Sequence, residues 1–134
     1  MTTVAKLFKN SQVLGDAALE IELEGQNLPT RDPSGYWKVV EDGSLKEGLE
    51  YVMRVPGNLQ YVEDSLDALL NLLKKSKVND SYRAGIHCHI NCQELTMRQL
   101  VNFICCYALV EDYLIDWCDP RRKGNHFCLK IKEQ

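Results

Sequence analysis

No stretch of this 134-residue chain approaches the roughly 20 apolar residues that cross a bilayer. The opening MTTVAKLFKN lacks the apolar centre of a secretory leader. Both absences point to a cytoplasmic protein. No C-x-x-C pair occurs among the six cysteines. In a reducing compartment they are read as free thiols that fill small packing positions, not as three disulfides. Positive charge is not in excess: the net charge is −3, so the chain carries no general nucleic-acid footprint. The basic run Arg121-Arg122-Lys123 is too short to change that and reads as a loop or a local anion contact. There is no internal repeat, linker or low-complexity tract. What remains is an ordinary globular composition, 45% hydrophobic and 26% charged, sized for a single domain over 1–134 with a modest core.

The hydrophobic pattern supplies the elements. AALEIELE (17–24) alternates strictly, with Leu19, Ile21 and Leu23 on one face and Glu20, Glu22 and Glu24 on the other. That is the period of a half-buried strand, and Gly25 is expected to end it. Residues 36–41 and 48–54 read as a hairpin around the turn Asp42-Gly43-Ser44. Val62, Leu66, Leu69, Leu70 and Leu73 then recur at helical spacing. Residues 85–92 return to alternation: Ile86, Cys88, Ile90 and Cys92 against His87, His89 and Asn91. Thr96 with Gln99 forms a capping-box signature for a second helix with Leu100, Ile104, Tyr107, Ala108 and Leu114 as its buried stripe. A last strand is expected at 126–132. The order β-β-β-α-β-α-β, with one aliphatic face per strand, predicts an α+β fold. It is a mainly antiparallel sheet with both helices packed on one face.

The opposite face then carries Glu20, Glu22 and Glu24 from one strand, Glu50 from another, and His87, His89 and Asn91 from a third. Any one of these is an ordinary solvated residue. Together, like charges at alternate positions of one strand repel unless a cation binds. Carboxylate oxygens with an imidazole suit a hard divalent ion such as Mg²⁺. A zinc site through His87, His89, Cys118, His126 and Cys128 is the competing metal reading, with a spacing unlike standard zinc modules.

Four stretches also carry a resemblance: LEIELEGQNLP (19–29), WKVVEDGSLKEGLEYV (37–52), GIHCHIN (85–91) and RKGNHFCLK (122–130). GIHCHIN looks like the His-x-His segment of glutamine synthetases. The set, in this order, is more similar to the amidoligases of phages and bacteria, within the glutamine synthetase and glutamate–cysteine ligase superfamily. The resemblance implies part of a glutamine synthetase-like catalytic half-barrel. It also implies an ATP-dependent carboxylate–amine ligase that forms an amide or isopeptide bond through an acyl phosphate, using Mg²⁺ or Mn²⁺. By motif, Glu20, Glu22, Glu50 and His87 match metal ligands, His89 a residue near the ATP phosphates, and Arg122 an arginine that contacts phosphate or substrate carboxylate. Arg121 is the alternative to Arg122. Glu24 either joins these carboxylates or sits at the edge as a solvated residue, and Asp42 either positions substrate or only makes a turn; Asn125 carries the same two readings.

Chains of that family run on past the Gly-Asn strand. The resemblance therefore implies a domain incomplete at its C-terminus, whose sheet a second copy or another protein would finish. The substrates implied are a small-molecule or peptide carboxylate and an amine, in the host cytoplasm if the gene is a phage's. The contrasting function class is a non-catalytic binding or assembly module that keeps the ligase scaffold. Metal and nucleotide binding discriminate the two.

Overall fold

The computed structural model describes residues 2–9, 14–118, 120–122 and 130–131. It divides into two compact units, one over 13–91 and one combining 1–12 with 92–134.

The first unit is the sheet. Strand β1 (Ala17–Gln26) is its centre, paired antiparallel with β3 (Gly48–Met53) on one side. β3 pairs in turn with β2 (Trp37–Val40), the expected hairpin. Along its other side β1 meets two strands in succession. β5 (Gly85–Ile90) takes the first part of β1, Ala17 to Glu22, and the short β4 (Lys77–Val78) takes Gly25 and Gln26. All these pairings are antiparallel.

Gly25 does not end β1. A Cβ built on it would lie 2.3 Å from the Lys77 carbonyl oxygen, so its missing side chain is what lets β4 close against the strand. The sequence pattern contains no β4 because two residues carry no period.

Helix α2 (Leu59–Leu73) covers one face of this sheet. Asn58 caps it by accepting from the Tyr61 N–H at 3.0 Å. The core is Ile21, Trp37, Tyr51, Met53 and Leu69, with Leu19, Leu23, Val39, Leu49, Val62, Leu66 and Leu73 packed against it. The period-two and 3.6-residue patterns thus meet in one cluster. Trp37 is fully buried, and its indole N–H donates to the Ser65 carbonyl at 2.8 Å. Ser65, also fully buried, is small enough for the helix to lie close over the ring. Tyr51 donates its hydroxyl to the Pro29 carbonyl at 3.0 Å, tying the 27–35 loop to the sheet. Burial pushes its phenol up to about 12.

Two expectations about packing need correction. Leu70 was placed on the buried stripe of α2 but is exposed, because the covered arc is narrower than the sequence spacing allows. Ile86, Cys88 and Ile90 were expected under helices; all are exposed, and no β5 residue joins the core that α2 covers.

The second unit is built on α3 (Met97–Trp117). The Thr96–Gln99 capping box is present, with the Gln99 side chain accepting from the Thr96 N–H at 2.9 Å and Thr96 Oγ1 accepting from the Gln99 N–H at 3.3 Å. A short helix, α1 (Val4–Phe8), absent from the sequence reading, is held beside it. The Val4 N–H donates to Leu95 O at 2.8 Å and the Ala5 N–H to Gln93 O at 3.1 Å. On α3, Leu100 and Ala108 are half-buried, whereas Ile104, Tyr107 and Leu114 are exposed, so the predicted stripe is only partly covered. Glu111 is buried instead, accepting from the Ile131 N–H at 2.9 Å, beside a Lys130–Asp112 ion pair of 2.7 Å. Of the strand expected at 126–132, Lys130 and Ile131 are not in a strand, and the other residues lie outside the described ones.

Five cysteines, Cys88, Cys92, Cys105, Cys106 and Cys118, are free, as expected of reduced thiols. Among the described residues no helix is long and apolar enough to cross a membrane.

Candidate metal centre

The face of the sheet opposite α2 carries the polar side chains, and strand register decides which of them meet. Directly opposed residues of antiparallel strands point to the same side. Glu22 of β1 stands opposite Glu50 of β3, and Glu20 stands opposite His87 of β5. His89 lies opposite Ala18, one pleat further along the same face. Val40 of β2 pairs with Glu50, and Asp42 follows two residues later, where the chain has left the strand.

These side chains converge. His87 Nδ1 is 3.3 Å from a Glu20 carboxylate oxygen, and its Nε2 is 3.7 Å from Glu22. His89 Nε2 is 3.3 Å from the other Glu20 oxygen. Both histidines therefore hold Glu20, and only His87 also reaches Glu22. One donor atom from each of Glu20, Glu50 and His87 lies within 4.8 Å of the other two, and the same is true of Glu22, Asp42 and Glu50. Glu50 belongs to both sets. Oxygen-rich groups with a single imidazole are the donors that Mg²⁺ or Mn²⁺ take. Among the described residues no cysteine joins either set. His126 and Cys128, needed for the zinc reading, lie outside the described residues.

The electrostatics follow from the crowding. Glu50 is held above the ordinary carboxylate range by burial first, then by the Glu20, Asp42 and Glu22 carboxylates, with His87 opposing. Asp42 is held below it, chiefly because its carboxylate accepts from the Ser44 N–H, at 2.7 Å, and also by hydrogen bonding to the Ser44 hydroxyl and to Glu22. Lys38 lies in the same register row as Glu20, with Val52 of β3 between them.

Glu24 departs from expectation. It is not an edge residue open to solvent but is only 7% exposed. The Ser81 side chain first, and then the Lys46 backbone N–H that donates to its carboxylate, hold it below its ordinary range. It belongs to neither donor set.

A family model described as "Putative amidoligase enzyme" matches residues 3–134, which is nearly the whole chain and both of its units. The chain belongs to the amidoligase family. Comparison with curated proteins and with solved structures gives no significant match. In this family member the three motif carboxylates Glu20, Glu22 and Glu50 and the motif histidine His87 share one face of one unit with His89. Asp42 joins them as a donor. Its signal was the alternation Val40–Asp42 carried past the end of the strand, which the Asp-Gly turn masked. Arg121 and Arg122 belong to the other unit, in a 3₁₀ turn at Pro120–Arg122, and Asn125 lies outside the described residues.

Proposed function

We propose that this amidoligase-family chain is an ATP-dependent carboxylate–amine ligase whose reaction is run on the polar face of the sheet. The single observation that supports this reading is that Glu50 is shared by two donor sets, Glu20–Glu50–His87 and Glu22–Asp42–Glu50. Such a crowd of carboxylates is costly without a cation and useful with one.

In the reaction, the γ-phosphoryl group of ATP passes to a substrate carboxylate, giving an acyl phosphate and ADP. An amine then attacks the acyl carbon, inorganic phosphate leaves, and the amine loses a proton as the amide forms. Mg²⁺ or Mn²⁺ bound by Glu20, Glu22, Glu50, Asp42 and His87 would neutralise charge on the transferring phosphoryl group. The residues of the chain do the rest. The β1–β3 ladder fixes Glu22 against Glu50 so that the donors are positioned before substrate arrives. His87, holding Glu20 and touching Glu22, orients both carboxylates. His89 extends the same face toward the position assigned to the phosphates by family resemblance, and Arg122 carries the phosphate- or carboxylate-binding role on the same basis. The tetrahedral centre formed on amine attack needs no covalent enzyme intermediate, in keeping with thiols that are free.

The test is calorimetric titration of the full chain with ATP and Mg²⁺, together with detection of ADP release when carboxylate and amine mixtures are added. Saturable binding that is lost in Glu22→Gln and in His87→Ala is the expected result. Absence of both nucleotide binding and any metal-dependent thermal shift would sink the ligase reading and favour a non-catalytic assembly module.

A further inference from the structure

Glu24 continues the Glu-x-Glu-x-Glu alternation of β1, yet its carboxylate is spent elsewhere. It accepts from the Lys46 N–H, in the turn that leaves Asp42, and bonds the Ser81 side chain, in the turn that enters β5. Both turns are otherwise secured locally. The Ser44 N–H donates to Asp42 Oδ1 at 2.7 Å and the Leu45 N–H to Asp42 O at 3.2 Å. On the other side, Ser81 Oγ accepts from the Arg83 N–H at 3.1 Å, and the Ala84 N–H donates to Ser81 O at 3.2 Å. Next to Glu24, the Gly25 N–H donates to Glu47 O at 3.2 Å, and the Glu24 carbonyl accepts from the Asn79 N–H at 2.8 Å.

One buried residue thus ties together two segments that are remote in sequence. The first delivers Asp42 to the donor set with Glu22 and Glu50. The second delivers Gly85, opposite Glu22, at the head of the strand that bears His87. A hydrogen bond to a buried charged acceptor is stronger than one between neutral groups, and removing the acceptor leaves the donors unpaired.

We infer that Glu24 is a positioning residue for the metal centre: it clamps the 42–47 turn to the 81–84 turn and so fixes where Asp42 stands relative to Glu22 and Glu50. This rests on the ligase reading only for the identity of what binds. The clamp itself is a property of the apo chain. A carboxamide at position 24 keeps an acceptor oxygen for the Lys46 N–H, whereas a methyl group keeps none.

The experiment compares the full chain with Glu24→Gln, Glu24→Ala, Asp42→Asn and the Glu24→Ala/Asp42→Asn pair. Mn²⁺ binding is read by electron paramagnetic resonance, and amide hydrogen exchange is read across 42–47 and 81–84. Glu24→Ala is expected to weaken Mn²⁺ binding tenfold or more, Glu24→Gln to retain most of it, and the double variant to bind no worse than Asp42→Asn alone. Exchange in both turns is expected to rise in metal-free Glu24→Ala. Unchanged exchange in that variant overturns the inference, as does a Glu24→Ala effect that adds in full to that of Asp42→Asn. A wild type that takes up no Mn²⁺, with faster exchange in both turns of Glu24→Ala, overturns the metal assignment and leaves the clamp standing. If Glu24→Ala does not fold, Ser81→Ala removes one arm of the clamp and carries the same readouts.

Discussion

Glu22 and Glu50 stand directly opposite each other across the β1–β3 ladder. Two carboxylates in that relation repel, and the ladder keeps them together. The pair is a cost in the free chain that a bound divalent cation would offset.

Neutralising one member should therefore stabilise the metal-free protein. Glu50→Gln is expected to gain roughly 0.2–1 kcal/mol, the scale of a cross-strand charge pair. It should also lose most of the thermal shift that Mg²⁺ or Mn²⁺ gives the wild type, a shift worth about 2.7 kcal/mol when the ion is at a hundred times its Kd. Thermal unfolding with and without ion measures both. A variant that loses stability and keeps the full ion response contradicts the role of Glu50.

The same substitution has a pH signature. Glu50 titrates above its ordinary range in the folded state, so the folded chain binds this proton more tightly than the unfolded chain does. Its cost is absent below the ordinary carboxylate range and grows as pH rises through the raised value. Unfolding midpoints of Glu50→Gln and wild type should coincide near the acid end and separate toward neutrality. A difference that stays constant with pH would count against the shift. Asp42 and Glu24 carry the opposite sign: both are held low, so their contribution is present above the ordinary range and lost as pH falls through their depressed values.

The two histidines should not be equivalent. His87 contacts Glu20 and Glu22 and belongs to a donor set, while His89 contacts Glu20 alone. His87→Ala is expected to weaken Mn²⁺ binding at least tenfold, and His89→Ala severalfold less. Parallel titrations of the purified variants decide it, and equal losses would remove the distinction.

Away from the centre, Tyr51→Phe removes the hydroxyl that donates to Pro29 O and should cost about 0.5–1.5 kcal/mol. In the wild type, the buried phenol should remain unionised in spectrophotometric titration until the pH nears 12. An early, complete titration of all tyrosines would place Tyr51 outside the core.

Thr96→Ala strips the cap of α3 and should cost about 1 kcal/mol. Because Thr96 lies in the other unit, Mn²⁺ affinity should not change. Denaturant unfolding and ion titration on one sample separate the two effects.

Much of this was legible in the residues because alternation and helical spacing report burial directly. β1, the β2–β3 hairpin, α2, β5 and the capped α3 follow from pattern, and so does the gathering of Glu20, Glu22, Glu50, His87 and His89 on one face. What escaped had no periodic trace. β4 is two residues long, and Gly25 looks like a stop when it is a point of close approach. Glu24 has the same alternation as Glu22, and only the turns at Lys46 and Ser81, remote in sequence, make it a clamp rather than a donor. The aliphatic side of β5 matched a buried strand by period, but period does not say how far α2 extends.

β1 is the hub on which β3, β4 and β5 are all laid. Glu20 and His87 are 67 residues apart along the chain. A ribosome therefore exposes the glutamates of β1 long before the histidines that answer them. The polar face cannot be rehearsed by any local fragment, because its histidines join its glutamates only through the pairing of β5 with β1.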